Sequence, residues 1–232
     1  MSISRRTALR TSLVTGASGL LLAGSAVGTA AADPTPQATD ADSALKLLKQ
    51  GNRRWRNLEQ HHPHEGAARR AEVAAGQSPF ALIVACADSR VAPELVFDRG
   101  LGDLFTVRSA GQVLDESVLG SIVYGVEHLH IPLIVVVGHS SCGAVTAAVE
   151  AHETGQVPGG HVGYLVEQIL PVVEATPDDG GDFVDACVSA NALHIAELLR
   201  DDPELSGHVA SGALRVVAAR YELDTAKVNY LQ

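Results

Sequence analysis

Two short apolar runs constrain this chain more than anything else in it. Phe80-Ala81-Leu82-Ile83-Val84-Ala85 follows Pro79, and Leu133-Ile134-Val135-Val136-Val137 follows Pro132. Runs of this length, without polar alternation, are the pattern of strands buried on both faces. Such strands belong to parallel sheets covered by helices. Around them the spacing predicts a helix over Asp40–Lys49 stopped by Gly51, and a second over Ala67–Ala75 ended by Gly76. Further helices are expected over Ser117–Leu129, Gly143–Glu153, Tyr164–Val173 and Asp182–Leu199. The remaining strand candidates are Leu104–Val107, Leu214–Ala219 and Lys227–Leu231, the last two joined by an acidic turn at Leu223-Asp224. This alternation predicts an α/β fold, a mostly parallel sheet of four to five strands flanked by helices. No internal repeat interrupts it.

The first residues read differently. Ser4-Arg5-Arg6-Thr7-Ala8-Leu9-Arg10 is basic, residues 11–32 are uncharged and mildly apolar, and Ala30 and Ala32 form an A-x-A pattern before Asp33-Pro34. Basic, apolar, then small is the layout of an export signal. The arginine pair is similar to a twin-arginine signal, which carries folded proteins across the bacterial membrane, although Ala8 stands where that motif often has Phe. An uncleaved anchor is the alternative, but Gly and Ser make the segment a poor permanent span. The expected organisation is an export signal over 1–32, a Pro-containing linker over 33–39, and one α/β domain over 40–232, with an extracellular or cell-envelope location.

The formal charge of −10 becomes about −13 once Arg5, Arg6 and Arg10 leave with the signal. A nucleic-acid partner is not expected on that balance, because phosphate binding needs a basic face.

Three cysteines in an exported protein do not look like a disulfide framework. Cys187 lies within an expected helix and reads as a small core residue. Cys86 and Cys142 are different, since each comes just beyond one of the two strands. The motifs are Cys86-Ala87-Asp88-Ser89-Arg90 and His139-Ser140-Ser141-Cys142-Gly143. Ligands in open parallel sheets bind beyond the carboxyl ends of strands, so both motifs are expected at one edge. Cys142 comes three positions after His139, and at a helix start both side chains can reach one point that Cys86 also approaches. Two thiolates and one imidazole with an open fourth position is the pattern of catalytic zinc, and soft sulfur disfavours magnesium and calcium. His61, His62 and His64 read as a solvated loop, while His128 and His130 flank the entry to a strand.

C-x-D-S-R followed by H-x-x-C in this setting resembles the β-class carbonic anhydrases. The likeness runs from about Ala41 to the end and includes Gly51-Asn52, Arg90-Val91, Glu94, Gly102-Asp103, Val107-Arg108 and Leu223-Asp224. It implies reversible hydration of CO2 to bicarbonate and a proton at one zinc per subunit, held by Cys86, His139 and Cys142. It also implies an Asp88–Arg90 dyad, in which Asp88 can swing onto zinc in a closed state. Gln77, Phe105 and Tyr124 match active-site and pocket residues of the plant-type branch. Ile83 replaces a Trp that the other branch uses in an inhibitory bicarbonate site. Family members are dimers or multiples of dimers with the active site at the subunit boundary, so at least a homodimer is expected, its N-terminal helix lying across the partner.

The physical roles follow from these assignments. Zinc lowers the pKa of a bound water from near 16 to about 7. Ionised Asp88 only accepts hydrogen bonds, so it would orient that water's lone pair towards CO2, and Arg90 would hold Asp88 by a charge-assisted pair. Gln77 would donate to an oxygen of CO2 or bicarbonate, and Phe105 and Tyr124 would supply an apolar wall. Two other readings stay open: hydrolysis of carbonyl sulfide or carbon disulfide at the same zinc, and a non-catalytic structural zinc or redox module.

Overall fold

The computed structural model describes residues 38–232. The expected export signal and most of the linker lie outside them. Helix α1 (Ala41–Asn57) begins at Asp40, whose carboxylate accepts from the Ser43 amide at 2.8 Å in a reciprocal capping box. It does not stop at Gly51 as the pattern predicts but continues to Asn57, ending at Leu58 in the left-handed region. The glycine serves a contact instead: a Cβ there would sit 1.7 Å from the Phe97 carbonyl oxygen. Its missing side chain lets α1 press against the turn beyond α3.

α2 (Ala67–Val73) precedes strand β1 (Ala81–Ala85), every residue of which is buried. A four-residue helix α3 (Pro93–Val96), unmarked in the sequence pattern, starts at a proline in the position where its missing N–H costs nothing. Then come β2 (Leu104–Arg108), a 3-10 turn over Ala110–Gln112, α4 (Glu116–Glu127) and β3 (Leu133–His139). Helices α5 (Gly143–Thr154), α6 (Gly160–Ala175), α7 (Phe183–Asp201) and the short α8 (Ser206–Ala210) lead to β4 (Arg215–Tyr221) and β5 (Val228–Tyr230).

The five strands form one sheet in the order β2-β1-β3-β4-β5. The first four are parallel, and β5 runs antiparallel to β4. Alternate residues face opposite ways, so each strand feeds two cores. Ile83, Val135 and Val137 pack with Leu45 and Leu48 of α1, while Leu82, Val84, Ile134 and Val136 pack with Ile122 of α4 and Ile195 of α7. Each such side chain contributes about 1.5–3 kcal/mol by leaving water, which is why these two strands read so clearly in the sequence. Cys187 is fully buried with Val145 and Val173, the core role expected of it.

The chain leaves β1 towards β2 on one side, then returns to place β3 on the other. That reversal opens a crevice beyond the carboxyl ends of β1 and β3, where parallel sheets bind ligands. Among the described residues, no helix is long and apolar enough to cross a membrane.

Candidate metal centre

Cys86 follows the last residue of β1, and His139 is the last residue of β3. Cys142 caps the start of α5, where the helix dipole favours a thiolate. Both sulfurs and an imidazole nitrogen therefore reach the crevice, with all three ligand atoms within 4.8 Å of one another and all three residues buried. Cys86 and Cys142 are free thiols with their sulfurs 4.0 Å apart, so no disulfide closes the site. Two thiolates on one tetrahedral zinc lie about 3.8 Å apart, a close fit.

His139 is fully buried. Its Nδ1 lies 3.0 Å from the Ser140 carbonyl oxygen, which selects the tautomer with the proton on Nδ1. Nε2 is left buried without a hydrogen-bond partner. An orphaned buried nitrogen facing two sulfurs is what a metal would satisfy.

The charges agree. The hydrogen bond with the Cys142 thiol pulls the pKa of Cys86 down to about 4, against the cost of burial and helped by His139 and the Gly111 amide. The same contact and burial push Cys142 up, against the amides of Ala144 and Val145 at the start of α5. Burial opposes protonation of His139, yet the neighbouring Cys86 outweighs it and raises the pKa. A buried thiolate beside an imidazole is a site set for a cation.

Asp88 stands at the mouth, its Oδ2 3.8 Å from His139 Nε2. Arg90 holds it in a fork, Nε to Oδ1 at 2.9 Å and a terminal nitrogen to Oδ2 at 2.7 Å, with the Arg90 amide also donating to Oδ1. These bonds hold the carboxyl near pKa 2, outweighing its partial burial. The Asp88–Arg90 pairing expected from the sequence is therefore present, with Asp88 engaged by Arg90.

Gln77, Phe105 and Tyr124 are not brought to this point by the single chain. Phe105 pairs with Leu82 at the start of β1, about 13 Å along the strand from Cys86. Tyr124 stacks near Phe105 at 6.3 Å and is 46% exposed. Gln77 precedes β1 and is exposed. All three thus occupy the opposite edge of the sheet.

One supporting residue carried no role in the sequence reading. Arg108 donates to the backbone carbonyls of Cys86 at 2.9 Å and Asp88 at 2.7 Å, pinning the C-x-D segment from the neighbouring strand. Its position in register with Ala85 is a sheet fact that sequence spacing does not display. The histidine-rich stretch is also less free than expected. The amides of His61 and His62 donate to Asp98 at 3.1 Å, and His64 Nδ1 lies 2.6 Å from Asp103.

A carbonic anhydrase family profile matches residues 81–228, which contain every residue of the metal cluster and the Asp88–Arg90 pair. The chain belongs to the carbonic anhydrase family. It is accordingly an enzyme of the lyase class. Carbonic anhydrase 2 of Mycobacterium tuberculosis is 46% identical over 187 residues, covering 80% of this chain and 90% of that one. The carbonic anhydrase of Mycolicibacterium smegmatis is 41% identical over 188 residues, covering 81% and 91%. Among solved structures, the Coccomyxa β-carbonic anhydrase in complex with acetazolamide aligns with TM-score 0.65 and 28% identity, over 81% of this chain and 86% of that one. β-Carbonic anhydrases are zinc enzymes, and the Cys86–His139–Cys142 group fits one zinc ion.

Proposed function

We propose that the protein catalyses the reversible hydration of CO2 to bicarbonate and a proton, with Cys86, His139 and Cys142 as the zinc ligands. The observation that carries this is the buried cluster of two free thiols and an orphaned imidazole nitrogen, with a carboxylate engaged elsewhere beside it. Held by these three residues, a zinc ion would supply Lewis acidity and bring the pKa of a water there down to near neutrality. Asp88, ionised above about pH 2, only accepts, so a water beside it turns a proton towards Asp88 and a lone pair away. Arg90 would keep the carboxylate off the metal. Two guanidinium bonds and the Arg90 amide hold Asp88, which favours an open site over a closed structural one. Rotation of Asp88 off Arg90 would give the closed, inactive state.

Gln77, Phe105 and Tyr124 complete the pocket from a second copy of the chain. Their place at the far edge supports this: they can face a metal only if another protomer presents them. Gln77 then donates to a CO2 or bicarbonate oxygen while the rings exclude water. The protein is on this reading at least a homodimer of plant-type character. Ile83, packed wholly into the core, stands where the other branch has its Trp. The basic and apolar pattern of residues 1–32 supports export by a twin-arginine-type signal to the cell envelope or beyond, leaving 40–232 as the catalytic domain.

Stopped-flow assays of the zinc-loaded protein with CO2, carbonyl sulfide and carbon disulfide test the reading. CO2 hydration rising towards alkaline pH is expected; hydrolysis of either sulfur compound without CO2 hydration would reassign the substrate.

A further inference from the structure

The buried face of α7 is an apolar stripe through Cys187, Val188, Ala192, Ile195, Ala196 and Leu199, and Asn191 stands in its middle at 1% exposure. An amide buried there is costly unless it is hydrogen bonded, and an aliphatic residue would suit the stripe better. The Asn191 Nδ2 donates to the Gly111 carbonyl at 2.8 Å, reaching across 80 positions of sequence. Gly111 in turn donates its own N–H to Cys86 Sγ at 3.4 Å.

Gly111 has no freedom to be another residue. Its φ is +67°, and a Cβ would meet the Ile169 side chain at 2.6 Å and Ala144 at 3.1 Å. The next residue, Gln112, is also in the left-handed region at φ 58°, a conformation that side-chain-bearing residues adopt only when held. With the Gly111 carbonyl fixed by Asn191, the amide one peptide earlier stays aimed at the sulfur. The same turn of α7 sets the other side of the centre. Val188 and Ala192 close over Gly138, the residue before His139, at 3.1 to 3.4 Å from where its Cβ would be.

We infer that Asn191 is a positioning residue for the metal centre, holding the Gly111 amide on the Cys86 sulfur so that the thiolate keeps its direction towards zinc. The inference rests on the zinc reading above. A donor to a ligating sulfur fixes the orientation of its lone pairs, and partners of this kind influence affinity by about 10- to 100-fold.

The test compares wild type, Asn191→Leu and Leu199→Ala, the last a destabilising core change on the same helix away from the loop. Zinc affinity is measured by competition with a chromophoric chelator, and the thiolate-to-metal charge-transfer band is recorded after cobalt substitution. Asn191→Leu is expected to weaken zinc by about 10- to 100-fold and to shift the band, while Leu199→Ala lowers thermal stability and leaves both unchanged. If Asn191→Leu does not fold, Asn191→Ser, too short to reach Gly111, replaces it. Wild-type affinity and band position in the folded variant overturn the inference. Wild-type protein that binds no zinc overturns the parent reading instead.

Discussion

The two edges of the sheet differ in how completely one chain finishes them. At the carboxyl edge, Cys86, His139 and Cys142 converge within 4.8 Å, Arg90 fixes Asp88, and Arg108 pins the loop beneath. At the amino edge, Gln77 is exposed and Tyr124 is nearly half exposed beside Phe105. The first edge depends on the fold of a single protomer. The second sets Phe105 about 13 Å from the metal cluster along the strand. Metal binding should therefore survive where assembly fails, and turnover should need both.

The largest expected effect breaks the metal edge. Cys142→Ala removes one of three protein ligands, and zinc content and CO2 hydration should both fall to background; a variant retaining one zinc per chain with activity would refute the ligand assignment. Asp88→Asn keeps the ligands but loses the ionised acceptor. Its kcat/KM should drop about 100-fold at unchanged zinc content, read by stopped-flow and metal analysis together.

Gly51→Ala separates fold from chemistry. The added methyl meets the Phe97 carbonyl, so unfolding by urea should show about 2 kcal/mol less stability while zinc affinity of the folded protein holds. Equal stability would mean that α1 does not press so closely.

The amino edge is tested by Gln77→Ala, expected to cost about tenfold in kcat/KM, the worth of one hydrogen bond. Hybrids decide where it acts. Co-expressed Gln77→Ala and Cys142→Ala chains form a mixed dimer with one intact site if Gln77 serves its partner's zinc. Such hybrids should be more active than either parent; activity no better than the average of the parents would place Gln77 in its own chain's site or outside it.

The smallest effect is on stability against pH. Arg90 holds Asp88 near pKa 2, below the ordinary 3.8, so the ionised carboxylate favours the folded state above about pH 4. That contribution fades as pH falls from about 4 towards 2. The advantage of wild type over Asp88→Asn in urea should be present at pH 6 and shrink across that window. A constant difference would mean that the pair does not govern the titration.

The metal edge was legible in the sequence because its parts are local. Strand β1 ends at Ala85 with Cys86 next, and β3 ends at His139, three residues before Cys142, so motif and strand pattern together place all three ligands. The sheet and most helices were legible for the same reason, since buried strands and helix faces write their periods into adjacent residues. What sequence spacing hides is contact across distance. Gly51 looked like a helix stop because its true constraint, the Phe97 carbonyl, lies 46 residues away. Asn191 falls inside the expected helix over Asp182–Leu199, and nothing in its spacing there displays its bond to Gly111, 80 positions away. Arg108 had a matching position without a reason, which the parallel pairing of β1 and β2 provides.

Titrating zinc into the metal-free protein while following CO2 hydration tests the central claim most directly. Activity should rise in proportion to added zinc and level off at one ion per chain. Tight binding of one zinc with no hydration at alkaline pH, or hydration independent of zinc, would contradict it.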